Sequence, residues 1–390
     1  MNQLYLHRSQ FPALANKVYF NYGGQGPLPQ SALDAIIETE TSIQNIGPFS
    51  NETYRWISPQ MQSCRESIAS VLNVPSNTIT LTGNVTVGCN IAIWGIDWQP
   101  EDHILISDCE HPGVIAATQE VSRRFGVEVS TCPIMATLNF GDPISVIIEN
   151  IRPNTRLVIL SHVLWNTGQV LPIDKIAKLC KDNESLLLID AAQSVGVLPL
   201  DLMDLGVDFY AFTGHKWLCG PGGVGGLYVS ESAREKLNPT FIGLNGVITN
   251  SQAQPIDWQP DGRKYEVSTL SNALYMGLKS AIAVHEQWGT ATARYKQICD
   301  NAAYLWEKLN SLPDIKCLKN SPPESGLVSF QLTNDQPHAK LVSFLESQNI
   351  LTRTIAHPSC IRVSVHYLTL ISEIDQLIDK ITDFLKKSVI

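Results

Sequence analysis

The sequence predicts an α/β fold, with a large domain on a mostly parallel, doubly covered sheet and a smaller α+β domain after it. Three observations carry this reading. Strand-like and helix-like segments alternate from about Lys17 to Val229, and strands separated by helices of this length pair in parallel. Thr82, Cys109, Asp190 and Thr213 fall at or just past the ends of apolar runs, where ligands bind in such sheets. Beyond residue 270 the order changes to a long helical stretch, short strands and a final helix.

In chain order, a strand over 78–82 is followed by a helical pattern over 84–96, and a strand over 103–107 precedes a helix over 114–124. Residues 156–163 read as a buried strand. An amphipathic helix over 174–182 leads into the apolar run 186–189, which ends in Asp190-Ala191-Ala192-Gln193. The strand 207–211 runs into Phe212-Thr213-Gly214-His215-Lys216-Trp217, and a further strand covers 226–229. Residues 245–264, rich in Gln, Asn, Pro and Asp, read as a long loop. A helical stretch over 272–309, strands near 326–330 and 360–364, and a helix over 372–387 complete the chain. The expected division is an N-terminal segment, 1–18, packing on the small domain, a large domain, 19–262, and a small domain, 263–390.

Composition narrows the class. The chain has 390 residues, 44% hydrophobic and 17% charged, and 28 basic against 37 acidic residues leave a net charge of -9. No basic run is long enough to follow a nucleic acid backbone, so nucleic acids and anionic membranes are poor partners. The nine Cys are scattered without a CxxC pair, which suits free thiols in a reducing compartment. No secretory pattern opens the chain, and no apolar stretch approaches the roughly 20 residues of a membrane span. A cytoplasmic protein is expected, with no metal ligands assigned.

Asp190 at one strand end and Lys216 past the next form the pairing that pyridoxal phosphate (PLP) requires. The amine forms a Schiff base with the aldehyde, and the acid keeps the pyridine nitrogen protonated. The turn Thr82-Gly83-Asn84-Val85-Thr86 follows a strand and opens a helix. Its free N–H groups, with the Thr86 hydroxyl, suit a phosphate; an ordinary N-cap with Asn84 as capping residue is the alternative. Thr213 and His215 can also reach a phosphate. His111, in Cys109-Glu110-His111-Pro112, stands where an imidazole stacks on a cofactor ring, or simply shapes a turn. Gln193 is a candidate partner for the cofactor's phenolic oxygen, or a polar residue at a helix start. Arg362 offers a guanidinium fork for an α-carboxylate, unless it is a surface strand residue. Gly220-Pro221-Gly222-Gly223-Val224-Gly225 matches G-x-G-x-x-G but precedes a strand instead of opening a helix. It therefore reads as a tight turn near the lysine, not a dinucleotide site.

Taken in order, these segments resemble the fold-type I PLP enzymes of the aminotransferase class V group, which includes cysteine desulfurases and isopenicillin N epimerase-like proteins. Tyr19-Phe20-Asn21-Tyr22-Gly23-Gly24, Gly168-Gln169-Val170-Leu171-Pro172-Ile173, Glu266-Val267-Ser268-Thr269 and Arg362-Val363-Ser364 extend the match over most of the chain. The resemblance implies a large sheet of the seven-stranded type. It implies Lys216, Asp190 and His111 as catalytic residues, and a phosphate held by Val85, Thr86, Thr213 and His215. Thr269 would reach the neighbouring subunit's phosphate, making a homodimer with shared active sites. Arg362, with Gly24 and Asn166, would hold the substrate.

The departures point to the reaction. Desulfurases carry a nucleophilic Cys on a mobile loop well upstream of the carboxylate Arg, and the run 353–362 has no room for that loop. Cys360 lies two residues from Arg362, on the same face of a short strand. Trp165 stands where the family usually has Asn, and Asn21-Tyr22-Gly23-Gly24 replaces an Asp-Asn-Ala-Ala pattern. Within the family the chain is most similar to the L-cysteine/cystine C–S lyases. That similarity implies β-elimination on a sulfur amino acid, releasing a persulfide for iron–sulfur cluster assembly through an acceptor protein. Desulfurase, epimerase and aminotransferase activities are the alternatives, and a non-catalytic sulfur-delivery scaffold is opposed by the intact Asp190, His111 and Lys216.

Overall fold

The computed structural model describes residues 3–334 and 336–387. Its strands, in chain order, are β1 (Val18–Tyr19), β2 (Ile79–Thr82), β3 (His103–Ser107), β4 (Glu128–Cys132), β5 (Thr155–Ser161), β6 (Leu186–Asp190), β7 (Phe209–Thr213), β8 (Gly225–Val229), β9 (Val247–Thr249), β10 (Pro255–Trp258), β11 (Ile315–Cys317), β12 (Leu327–Leu332), β13 (Ile350–Leu351), β14 (Arg353–Ile355) and β15 (Cys360–Ser364).

A seven-stranded sheet runs in the order β2-β8-β7-β6-β5-β3-β4. The pairs from β7 to β4 are parallel, and β8 is antiparallel to both neighbours. Alternation along these apolar strands fills two cores at once, because successive side chains point to opposite faces. Leu105, Val158, Leu160, Leu187, Ile189, Tyr210 and Phe212 pack on one face. Ile104, Ile106, Leu157, Ile159, Leu186, Leu188, Phe209 and Ala211 pack on the other.

Two helices at the rim of the sheet begin at capping side chains. Asn84 accepts from the Val87 N–H at the start of the helix Val85–Gly95, and His111 caps Pro112–Phe125. Both helices therefore start at the carboxyl rim of the sheet, after β2 and β3, and their free N–H groups face the same space.

The second sheet, β11-β12-β15-β14, is antiparallel and packs through Val328, Phe330, Ile361 and Val363 against the helices Ala291–Asn310 and Ile371–Lys387. The start of the chain lies against this part: β1 pairs with β13, and Arg8 makes a buried ion pair with Glu373 at 2.7 Å. Among the described residues, no helix is long and apolar enough to cross a membrane.

Two elements differ from the sequence expectation. Residues 245–264 are not a plain loop: β9 and β10 form a hairpin between 3-10 turns. Its strands, three and four residues long, are too short to stand out in the sequence. The helical stretch over 272–309 is two helices, Asn272–Trp288 and Ala291–Asn310, and the Thr290 hydroxyl caps the second by accepting from the Ala293 N–H.

Candidate active site

The carboxyl ends of β2, β3, β5, β6 and β7 converge on one cleft. Lys216, His111, Thr213, His215, Asn84, Val85 and Thr86 line a cavity of about 930 Å³. Lys216, His111, Val85 and Thr86 also border a smaller inner cavity with Asp190, Gln193, Trp165 and Ser161. The fold thus brings together residues spread from position 84 to 216.

Burial dominates the electrostatics. Lys216 loses solvent, which pushes its amine down to about 8; the Asp190 charge opposes this, and Arg362 and Arg353 reinforce it. Asp190, 5% exposed, is pushed up by burial and held back by the Ala192 N–H it accepts at 2.9 Å and by Lys216 and His111. Burial also lowers His111, with Asp190 opposing. His111 Nδ1 accepts from the Gly113 N–H at 3.1 Å, so the proton of the neutral ring sits on Nε2. The Thr213 hydroxyl and His215 Nδ1 hydrogen-bond each other at 2.7 Å, and both residues line the larger cavity with Val85.

Arg362 is 2% exposed. Its Nη1 donates to the Trp165 carbonyl at 2.7 Å, while its Nε has no partner. Burial pushes this guanidinium down to about 10, with the Arg353 charge adding to the effect. A buried cation without an acid is costly unless an anion arrives. Gly23 packs close beside it: a Cβ there would lie 3.1 Å from Arg362 Cζ and 3.0 Å from Ser364 Oγ, so these side chains would have to give. Gly24 sits against Asn21. Asn166 is buried, its amide donating to the His357 carbonyl at 3.3 Å, and its Oδ1 is unpartnered.

Not every sequence candidate stands in the cleft in the expected way. The Asn84 side chain is spent on its helix cap. Gln193 donates to the Gly23 carbonyl at 2.9 Å and accepts from Trp217 Nε1 at 2.8 Å, which leaves one amide hydrogen for a phenolic oxygen. Thr269 is exposed and lies outside the lining of both cavities. Gly220, Gly222 and Gly223 precede β8, which Gly225 opens, and their turn closes on Gly214, whose carbonyl accepts from the Gly220 N–H. The backbone directly against the Lys216 carbonyl belongs to Gly26, where a Cβ would lie 2.2 Å away.

The family model for aminotransferase class-V proteins matches residues 18–377. The chain belongs to this family. A probable cysteine desulfurase of Methanothermobacter thermautotrophicus is 26% identical, over 95% of both chains. The isopenicillin N epimerase of Streptomyces clavuligerus is 27% identical, over 93% of both. The solved complex of the cystine C-S lyase C-DES with its reaction product cysteine persulfide is 46% identical, covering 96% of this chain and 99% of that one, with a TM-score of 0.94. The fold expectation, α/β with a large mostly parallel sheet, agrees with these class-V structures.

The donor set fits pyridoxal phosphate. A buried acid, an amine lowered to about 8 by burial and an imidazole border the inner cavity. The helix start with Thr86, Thr213 and His215 has the donors a phosphate needs, and the Arg362 guanidinium, without an acid partner among the described residues, has those a carboxylate needs.

Sequence reasoning assigned no role to Arg353 or Glu110. Arg353 pairs directly opposite Arg362 across β14 and β15; its signal was a second Arg just upstream of the strand. Glu110 is 3% exposed and accepts from the Ser107 hydroxyl at 2.6 Å, the Ser161 hydroxyl at 2.8 Å and the Ser161 N–H at 3.0 Å. It ties the turn that carries His111 to the ends of β3 and β5. Burial, with a further push from Asp190, raises its carboxyl to about 7 against the pull of the two serines. The folded protein therefore keeps this proton through a pH range where the unfolded chain has lost it, and stability falls as pH rises from about 4.5 to 7. A shift of this size is worth on the order of 3 kcal/mol at most. The stability difference between Glu110→Gln and wild type should move in the variant's favour over that range. Denaturant midpoints at pH 5 and pH 8 check this.

Proposed function

We propose that this class-V chain is a PLP-dependent carbon–sulfur lyase that cleaves cystine, or cysteine, by β-elimination. The products are pyruvate, ammonia and cysteine persulfide, or sulfide. The observation that carries elimination over sulfur transfer is the state of Cys360. It is fully buried in β15, its thiol pushed up to about 11 by burial, with the Ser329 hydroxyl and the Arg362 charge pulling the other way. Only the turn 356–359 joins β14 to β15, so no arm is present to swing a thiolate to the substrate. Only a thiolate is a competent sulfur acceptor. The 46% identity to C-DES, a cystine C-S lyase, supports the same reading.

Pyridoxal phosphate, when bound, supplies an electron sink for the Cα of the substrate. The chain's own groups do the rest. Asp190 holds the proton of the ring nitrogen, and His111 covers the ring. Val85, Thr86, Thr213 and His215 hold the phosphate. Lys216, partly neutral near pH 8, anchors the cofactor and then takes the Cα proton. Arg362 holds the α-carboxylate, and Arg353 beside it suits a second carboxylate, which cystine has and cysteine lacks. The Cβ–S bond breaks with its electron pair on sulfur, and water replaces nitrogen on the carbon skeleton. With cystine the departing group is a persulfide, a better leaving group at neutral pH than a simple thiolate.

We read the active form as a homodimer in which Thr269 completes the neighbour's phosphate cradle. The exposed apolar residues Phe241, Ile242, Leu244, Ile256 and Trp258 support that arrangement. We divide the chain into the N-terminal segment, the large cofactor domain and the small C-terminal domain at the boundaries given above, and assign its persulfide to iron–sulfur cluster assembly through an acceptor protein.

Incubation with cystine and with cysteine, followed by assays for pyruvate, sulfide, persulfide and alanine, tests the reaction. Pyruvate should equal persulfide from cystine with little alanine, and Cys360→Ser should retain most activity. Transfer to a thiol returns electrons to Cβ and yields alanine. Alanine as main product, with an inactive Cys360→Ser variant, would overturn elimination.

A further inference from the structure

Two buried donors have no partner: Nε1 of Trp165, a residue of the inner cavity's lining, and Nε of Arg362, which lies outside the lining of both cavities. Both atoms can only donate, and a buried donor left unpaired costs free energy that a folded chain rarely leaves unrecovered. The two residues form one unit, because Arg362 Nη1 donates to the Trp165 carbonyl at 2.7 Å. That bond uses part of the guanidinium fork and fixes which edge remains for a ligand. The Trp165 side chain lines the inner cavity beside Lys216 and Asp190. It stands edge-on to His111, with ring centroids 5.9 Å apart and planes at 68°. Trp165 thus touches His111 through its indole and Arg362 through its carbonyl.

Each of these donors can give its hydrogen to one oxygen of a carboxylate. The acids near this space do not serve. Asp190 is engaged with the Ala192 N–H and the Lys216 charge, and Glu110 is surrounded by the two serines. We propose that Trp165 is a specificity residue whose indole N–H donates to one oxygen of the substrate α-carboxylate while Arg362 takes the other. The proposal rests on the amino acid substrate argued above, and it assigns a task to the position where this chain departs from the Asn usual in the family. The alternative is that Trp165 only packs against His111.

Trp165→Phe separates the two roles, since it keeps a ring edge against His111 and loses the N–H. The holoenzymes of wild type and variant are titrated with glycine, which has the carboxylate, and with ethylamine, which lacks it, following the cofactor absorbance. Wild type should prefer glycine, and the variant should lose roughly 10- to 100-fold of that preference, the range of one hydrogen bond to a charged group. Ethylamine binding and the cofactor absorbance should hardly change. For cystine, KM should rise with kcat within about threefold, the split expected when an interaction made equally in the bound substrate and the transition state is removed. Trp165→Leu, which also gives up the edge contact, should lose the same preference and serves where the Phe variant loads poorly. An unchanged glycine preference in both variants, or equal weakening of glycine and ethylamine, would overturn the role of the indole. A wild type with no glycine preference would instead count against the amino acid substrate itself.

Discussion

Lys216→Ala is expected to lower turnover at least about 10⁴-fold, because one amine supplies both the covalent anchor and the proton transfer at Cα. Purified wild type should be yellow, or become so on adding PLP, and the variant should not develop the visible band. A colourless wild type that gains no absorbance would remove the cofactor from the argument altogether. A pH signature accompanies this result. Only the neutral amine attacks an aldehyde, and burial has moved its titration from 10.5 down to about 8. The rate at which cofactor-free protein captures PLP should therefore climb through about pH 8 and level off above it. A rate still climbing steeply at pH 10 would show that Lys216 is not buried as described.

Arg362→Ala is expected to give the next largest effect, a rise in KM for every amino acid substrate. Losing one side of a buried charge-assisted pair costs about 2–5 kcal/mol, which is roughly 30- to several-thousand-fold. The folded protein should tolerate the change, since this guanidinium has no acid partner among the described residues and its burial is a cost while no ligand is bound. Measured unfolding free energy should therefore hold steady or rise while KM climbs. Unchanged KM would mean that the carboxylate is bound elsewhere.

Much of the large sheet was legible because β3, β5 and β6 are runs of Val, Ile and Leu bounded by polar residues and β7 is an aromatic run. By contrast β4, Glu-Val-Ser-Thr-Cys at the sheet edge, has no such run and was not read as a strand. Strand ends at Thr82, Asp190 and Thr213 coincide with or adjoin the positions that line the cleft. Lys216 and Asp190 could be singled out for the same reason: each stands immediately past an apolar run. The remainder depended on contacts between residues distant in the chain. The tie from Gln193 to Gly23 and Trp217, and the three donors around Glu110, leave no periodic trace. Arg353 was missed because facing Arg362 is a property of strand pairing, and its register shows only once β14 and β15 are folded together. The hairpin β9–β10 was missed because its residues are exposed and carry no alternating apolar face.

The turn 356–359 has a bearing on how easily this scaffold could change its trade. It lies at the protein surface between two strands, and lengthening a surface connection is cheap, about 0.6 kcal/mol of closure entropy for each doubling. The local contacts at risk are the hydrogen bonds from Asn166 to the His357 carbonyl, from Gln331 to the Ser359 carbonyl and between His338 and the Ser359 hydroxyl. A graft of a longer, cysteine-bearing segment at this one point would leave Lys216, Asp190 and the phosphate cradle untouched. It would add the reactive arm whose absence separates elimination from sulfur transfer. Divergence between the two chemistries would then require an insertion at one hairpin and no rebuilding of the centre, so the same active-site frame can host either outcome across a short genetic distance.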